Sequence, residues 1–214
     1  MGNNAFASVV IKGTRVIYPS SAREVTIQLE NKGQSPVLVQ NWIDNGDNEE
    51  KPENIKVPFV LTPPINRVDP DKGQTIRISY TGSPLPADKE SVFWLNTLEI
   101  PAKKKVATSE NFMQVAFRTR IKLFYRPAGL QGNPNEAAKS LSWQANGSSL
   151  QATNPTPYYV SLVSVQSNGK EVEGKMIPPK GKATFSLPIK RGADINGEFV
   201  NDYGAVVKFV SKVN

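Results

Sequence analysis

The sequence predicts an all-β protein built from two β-sandwich domains. Apolar and polar residues alternate along most of the chain, as in Arg23–Glu30, where Val25, Ile27 and Leu29 share one face of a strand. Turn-rich segments such as Asn31–Gly33 separate these alternating stretches at short intervals. The length of 214 residues suits two compact domains of about 100 residues each.

The first half of the chain contains enough short strands for one sandwich. Besides Arg23–Glu30, the alternation predicts strands at Ala7–Tyr18, Val37–Ile43, Val57–Leu61, Thr75–Tyr80, Val92–Ile100 and Phe112–Tyr125. About seven short strands separated by turns are typical of a sandwich domain. We therefore expect a first domain at residues 1–126.

A second series of strands follows Arg126–Gly129. The predicted strands are Leu150–Thr153, Tyr158–Gln166, Lys182–Leu187, Gly197–Asn201 and Ala205–Val210, with Asn168–Gly169 as a hairpin turn. The single helix-like segment, Pro134–Ser140, is too short for an α/β design with parallel strands. We therefore expect a second all-β domain at residues 127–214.

The composition argues against an enzyme. The chain has no Cys and no His, which excludes thiol and imidazole chemistry and the usual zinc sites. The Ser-x-x-Lys spacing of Ser167 and Lys170 straddles the predicted hairpin turn and is interpreted as part of that turn. An acidic cluster lacks the spacing of a twelve-residue calcium loop; its members are Asp44, Asp47, Glu49 and Glu50. We expect neither a metal nor a cofactor.

The net charge of +7 favours an acidic partner, and nucleic acid is one alternative. The cations are scattered, however, and no aromatic residues are interleaved with clustered cations as in a nucleic-acid-binding module. No stretch approaches the roughly 20 apolar residues of a membrane helix. The segment Met1–Asn4 has no basic region leading into a long apolar one, so no secretory signal is visible, and the protein is either cytoplasmic or, if it is secreted, has had its signal removed.

The stretch from Met113 to Tyr125 alternates with one apolar and one basic face. Its odd positions Met113, Val115, Phe117 and Ile121 are apolar, whereas the even positions Arg118, Arg120 and Lys122 are basic. From the period alone, the apolar face would pack inside its own sandwich. The pattern does not determine which face is exposed.

Six motifs in order resemble the periplasmic chaperones of the chaperone–usher pathway and cover almost the whole chain. They are Thr14–Pro19, Pro63–Pro70, Glu90–Asn96, Arg120–Pro127, Asn154–Tyr159 and Asn201–Gly204. The resemblance implies two immunoglobulin-like β-sandwich domains in an L-shaped arrangement. It also implies a non-enzymatic periplasmic protein that holds pilus subunits and delivers them to an outer-membrane usher.

The resemblance assigns two groups of residues to subunit binding. Arg15 and Lys122 match the basic pair that anchors the C-terminal carboxylate of a pilus subunit, and two fixed cations suit that role. Asn111, Met113, Val115 and Phe117 match the donor strand, which fills the place of the strand that a subunit lacks. This implication turns the apolar row outward, against the reading from period alone.

The resemblance also implies a buried charge network between the domains, formed by Glu90, Arg126 and Asp202 with Arg67 nearby. Only residues Ala102–Asn111 separate Pro101 from Phe112, a short connection that is similar to the short-loop branch of the family.

Two further possibilities stay open at this point. A carbohydrate-binding or adhesive module would need an exposed aromatic cluster, and the three tryptophans, Trp42, Trp94 and Trp143, are dispersed in sequence. Self-association is the second, because the apolar donor strands of two copies could pair with each other.

Overall fold

The computed structural model of the chain describes residues 8–101 and 115–214. The described residues divide into two compact units. Those of Met1–Pro84 and Val92–Phe124 form the first unit, and Leu85–Ser91 joins Tyr125–Asn214 in the second. The passage into the second unit thus falls two residues before the predicted boundary, and the pattern gave no sign that 85–91 belongs there.

The first unit consists of two β-sheets. Its strands are β1 (Val9–Ile11), β2 (Arg15–Pro19), β3 (Val25–Asn31), β4 (Val37–Asp44), β5 (Phe59–Thr62), β6 (Ile65–Val68), β7 (Gly73–Tyr80), β8 (Ser91–Pro101) and β9 (Phe117–Arg126), with a short 3-10 helix at Pro52–Asn54. One sheet has the order β1-β3-β7-β5 and the other β2-β9-β8-β4-β6. The last two residues of β9 already belong to the second unit.

Alternating side chains from both sheets form the core of this unit. Leu29 and Ile76 are fully or almost fully buried on the first sheet, as are Leu95 and Leu123 on the second. The ring of Phe59 contacts those of Tyr18 and Phe93 in edge-on geometry, and such aromatic pairs stabilise a core beyond their buried area.

The predicted strand Ala7–Tyr18 is interrupted, and its halves lie in different sheets. Gly13 has a φ of +139°, a conformation that side chains with a Cβ rarely adopt. β1 therefore pairs with β3, whereas β2 crosses to the other sheet and lies beside β9. The buried positions change phase across this break, from the odd-numbered Val9 to the even-numbered Val16 and Tyr18, which a single strand would not do.

The second unit also consists of two antiparallel sheets. Its strands are β10 (Ser142–Asn146), β11 (Ser149–Thr153), β12 (Val160–Ser167), β13 (Lys170–Glu173), β14 (Met176–Ile177), β15 (Lys182–Phe185), β16 (Asp194–Val200) and β17 (Val206–Lys212), preceded by a 3-10 helix at Pro134–Ser140. The sheet orders are β10-β11-β15 and β13-β12-β16-β17, and β14 also pairs with β12.

A single aromatic-rich core fills the second unit. Trp143 is completely buried and packs against Phe185 and Phe209, with ring centroids 6.0 and 6.3 Å away. The Phe209 ring lies directly over Gly197, where a Cβ would come within 2.3 Å of it. This close approach explains why a strand accommodates glycine at that position.

The all-β prediction is confirmed, and most predicted strands are present within a few residues of their expected bounds. The short strands β6, β10, β13 and β14 were missed. A two-residue strand such as β14 is too short to show a period, and β12 carries a register shift between Leu162 and Ser164. In the described ranges, no helix is long and apolar enough to cross a membrane.

Candidate functional site

The apolar row of β9 changes its environment along the strand. Ile121 and Leu123 are 9% and 0% exposed and belong to the core. Val115, just before the strand, is 39% exposed, and Phe117 is only partly buried. The row therefore leaves the core near the start of β9. Asn111 and Met113 lie outside the described residues, so their places in this row stay a prediction.

The start of β9 has an edge that β2 does not cover. β9 lies between β2 and β8, but β2 has five residues and β9 has ten. Arg15, the first residue of β2, lies beside Phe124, and its charge contributes to lowering the pKa of Lys122. A five-residue strand that starts at this level does not reach Phe117 in either direction. Among the described strands, β2 thus leaves the segment Val115–Phe117 open on its side.

Arg15 and Lys122, the predicted basic pair, lie close together on one face of this sheet. Burial, and then the neighbouring charge of Arg15, hold the pKa of Lys122 below its usual value. Each cation contacts an aromatic ring. The Arg15 guanidinium lies 5.7 Å from the Phe124 ring centroid, and Lys122 Nζ lies 5.6 Å from that of Trp94. The tertiary structure therefore brings the two predicted residues together.

Asp44 anchors a second basic cluster on the same sheet face. Its carboxylate is fully buried and accepts bonds from Arg120 Nη2 at 2.5 Å and Nε at 3.2 Å. Asn96 Nδ2 and the Gly46 amide each donate to it at 2.7 Å. Burial alone would raise the pKa of Asp44, but these hydrogen bonds outweigh burial and lower it. Asp44 is therefore an ionised, fully bonded carboxylate.

Arg118, another cation of this face, extends the same cluster. It donates from Nε to Asn96 Oδ1 at 2.8 Å and from Nη1 to the Asn48 carbonyl at 2.7 Å. The predicted acidic cluster is thus split, because Asp44 turns into the sheet face towards arginines. Sequence reasoning missed this arrangement. The signal was available, since Asp44 directly follows the predicted strand Val37–Ile43 and shares the phase of Trp42.

Two of the three tryptophans are neighbours, although they are far apart in sequence. Trp42 pairs with Asn96 and Trp94 with Asp44 across β4 and β8, so both rings lie on the outer sheet face. Arginines cover them: Arg118 Cζ lies 5.1 Å from the Trp42 ring and Arg120 Cζ 4.3 Å from the Trp94 ring. Because the arginines already stack on these faces, the pair is a poor platform for a sugar ring.

In the second unit, three of the predicted network residues meet. Arg126 donates from Nε to Glu90 Oε1 at 2.6 Å, and from Nη1 and Nη2 to Asp202 at 2.7 and 2.9 Å. Glu90 also accepts the Tyr159 amide at 2.8 Å. All of these residues belong to the second unit. The predicted role of this network in fixing an interdomain angle stays a prediction.

The network contains one cation between two anions. Burial acts to lower the pKa of Arg126, but hydrogen bonds with Asp202 and the charge of Glu90 outweigh it and raise that pKa. Burial raises the pKa of Glu90, and Arg126 offsets only part of that effect. The fourth predicted residue, Arg67, lies in the first unit, where its Nε donates to Asp69 at 2.9 Å. Its membership of the network stays a prediction.

The Ser-x-x-Lys spacing belongs to a hairpin, as predicted. Ser167 pairs with Lys170 across the turn that joins β12 and β13. Ser167 Oγ donates to the Asp194 carbonyl at 2.6 Å and is thereby held in the sheet. This hydroxyl is therefore a structural group.

Comparison with known proteins places the chain among chaperones built from two β-sandwich domains. Residues 8–131 match the family described as "Pili and flagellar-assembly chaperone, PapD N-terminal domain". Residues 136–210 match "Pili assembly chaperone PapD, C-terminal domain". The chain belongs to this family of pilus-assembly chaperones, which is not a family of enzymes, and its two sandwiches are the immunoglobulin-like domains of that family.

Individual relatives agree with this assignment. The probable fimbrial chaperone YadV of Escherichia coli K12 is 47% identical, covering 96% of this chain and 90% of YadV. The Pseudomonas aeruginosa CupB2 chaperone has a TM-score of 0.84 at 39% identity, and the match covers 96% of this chain and 100% of the CupB2 chain. A chain in the structure of Salmonella enterica SafA pilin with the SafB chaperone has a TM-score of 0.86 at 28% identity, covering 99% of each chain.

Proposed function

We propose that this pilus-assembly chaperone works in the periplasm, where it binds pilus subunits and passes them to an outer-membrane usher. Two parts of the first unit would share the binding. Arg15 and Lys122 hold the C-terminal carboxylate of the subunit, and the strand that leads into β9 completes the subunit's sandwich. Members of this family act in the periplasm in general. SafB, a structural relative, was solved in complex with a pilin.

The observation that carries this proposal is the pairing of Arg15 with Lys122 on one sheet face. Burial first, and then repulsion from the Arg15 charge, lower the pKa of Lys122. A carboxylate placed between them would relieve this repulsion and accept charge-assisted hydrogen bonds from both. A chain terminus suits the site, because its position then sets the register of the residues before it.

The open start of β9 supports strand addition next to this anchor. Val115 is 39% exposed, and β2 leaves the backbone of Val115–Phe117 uncovered on its side. Apolar side chains beside an open edge favour pairing with another strand. A subunit anchored at Lys122 would run along this edge and receive Val115 and Phe117. The predicted partners Asn111 and Met113 extend the same row.

The test is co-expression of the chaperone with pilus subunits in the periplasm, followed by recovery of a one-to-one complex. Lys122→Met and Arg15→Gln keep most of the side-chain volume but remove the charge, so each should reduce recovery at least tenfold. Lys56→Met, at an exposed site of the same unit, is the matched control and should bind normally. Full recovery with both Lys122→Met and Arg15→Gln would refute the anchor.

A second measurement tests the carboxylate directly. A synthetic peptide with the C-terminal sequence of the recovered subunit is compared in its free-acid and amidated forms. Wild type should prefer the free acid, and Lys122→Met should lose that preference. Equal affinity of wild type for both peptides would contradict the proposal.

Sedimentation of the free chaperone over a range of concentrations tests the predicted pairing of donor strands between two copies.

A further inference from the structure

The face that carries the basic pair also carries a continuous stack of charged and aromatic side chains. Trp94 lies in its middle, because both Arg120 and Lys122 contact the same ring, with centroid distances of 4.3 and 5.6 Å. Arg120 in turn bonds the buried Asp44 through two nitrogens. We call Asp44, Arg120, Trp94 and Lys122 the cation ladder.

The two ends of the cation ladder hold their cations by different interactions. At one end, Asp44 forms an ion pair with Arg120, which cancels much of the charge there. At the other end, Lys122 contacts a ring. An aromatic ring attracts a cation through its quadrupole and, unlike a carboxylate, does not neutralise its charge. A carboxylate in that place would compete with the subunit's own carboxylate.

The cation ladder also restricts where the Lys122 ammonium can lie. A lysine side chain is long, and fixing it costs rotamer entropy that binding must otherwise supply. Trp94 is itself restrained, because β8 pairs it with Asp44 and Arg120 stacks on it. The ring is thus a rigid support beside which the ammonium is already oriented before a subunit arrives.

We propose that Trp94 is a positioning residue for subunit binding, held by Arg120 and Asp44, and that it acts by orienting the Lys122 ammonium. Phe124 supports Arg15 in the same way, at 5.7 Å. The inference rests on the proposed function, since it assumes that Lys122 receives a carboxylate. It adds that the affinity of the anchor depends on two aromatic rings that need not touch the subunit.

The test is a double-mutant cycle with the free-acid subunit peptide as the probe. Trp94→Leu should weaken binding about two- to fivefold, the range that a partly exposed cation–π contact supplies. Trp94→Phe, which restores a ring, should recover most of that loss. In the Lys122→Met background, Trp94→Leu should have no further effect, because no ammonium is left to orient. Equal effects of Trp94→Leu in both backgrounds would overturn the proposal.

Arg120→Gln provides a second variant, since it leaves the Trp94 ring in place but removes its support. It should weaken peptide binding less than Trp94→Leu does, and again only when Lys122 is present. Thermal melts of each variant exclude general unfolding as the cause. If Lys122→Met itself binds like wild type, the proposed anchor fails. If Lys122→Met loses binding but Trp94→Leu binds normally in a folded protein, the anchor stands and the positioning role is wrong.

Discussion

Arg126 in the second unit and Lys122 in the first lie four residues apart on β9, yet their environments are opposite. Arg126 contacts two carboxylates, and its pKa is raised above the usual value by those partners. Lys122 lies beside another cation, and its pKa is lowered by burial and by that neighbour. Arg126 is paired with two carboxylates of its own unit, whereas the described neighbours of Lys122 include a like charge, whose repulsion a bound anion would offset.

This difference separates a charge used for folding, that of Arg126, from a charge that we propose is used for binding, that of Lys122. A buried ion pair adds modestly to stability, but removal of one partner leaves the other charge unpaired at high cost. A cation held beside a like charge lowers the stability of the fold, and binding of an anion would relieve that cost. Three substitutions test this division and a fourth, Val115→Ser, tests the apolar row beside it; they follow in order of the expected effect on the free energy of unfolding.

Arg126→Ala should cause the largest loss, about 3–5 kcal/mol, because it strands Glu90 and Asp202 without their shared cation. Thermal denaturation measures the effect. Arg191→Ala, at an exposed position of the same unit, is the control and should change stability by less than about 0.5 kcal/mol. Arg15→Ala should lower the melting temperature less than Arg126→Ala, and equal melting temperatures would contradict the comparison.

Asp44→Asn should cost about 1–3 kcal/mol at neutral pH, because hydrogen bonds to a charged group are lost from Arg120. The folded-state pKa of Asp44 is lowered from 3.8, so its contribution is present above pH 3.8 and disappears as the pH falls through the folded value. The stability difference from wild type should therefore shrink in acid. Urea titrations at several pH values measure it, and the exposed Glu53→Gln serves as the comparison.

Lys122→Met should leave stability unchanged or raise it slightly, on the order of 0.5 kcal/mol at neutral pH. The folded-state pKa of Lys122 lies below 10.5, so the unfolded chain binds its proton more readily. Wild-type stability should thus rise relative to the variant as the pH increases from the folded value towards 10.5. Denaturation between neutral pH and pH 10.5 tests this sign, and a fall instead of a rise would mean that Lys122 is stabilised as a cation.

Val115→Ser should have the smallest effect on stability, near zero, because this side chain is already 39% exposed. The same change should weaken recovery of the subunit complex, since it removes an apolar group from the proposed donor strand. Leu123→Ser, in phase with Val115 but completely buried, is the matched contrast and should destabilise the first unit strongly. Normal subunit recovery with Val115→Ser would show that this side chain does not contribute to the proposed donor strand.

The residues that lie within the family motifs could be predicted before the tertiary structure was known, whereas the Asp44 cluster could not. The motifs Thr14–Pro19 and Arg120–Pro127 indicated Arg15 and Lys122 as a basic pair, and these two residues do lie close together. The ordered motifs also indicated Glu90, Arg126 and Asp202, which form the observed network. The Asp44 cluster was missed, because the phase that Asp44 shares with Trp42 indicates its sheet face but not the two arginines that it meets there. Arg67 was placed near the network, and its described ion pair is with Asp69.

The sequence by itself determined the β architecture and the phase of each long strand, because a period of two depends only on local geometry. Its motifs also determined the chaperone family. Only the tertiary structure decided where an apolar row leaves the core, as between Ile121 and Val115, since exposure depends on which strand lies alongside. It also decided which ring supports Lys122, because that contact joins β8 and β9 and depends on how two distant segments pair.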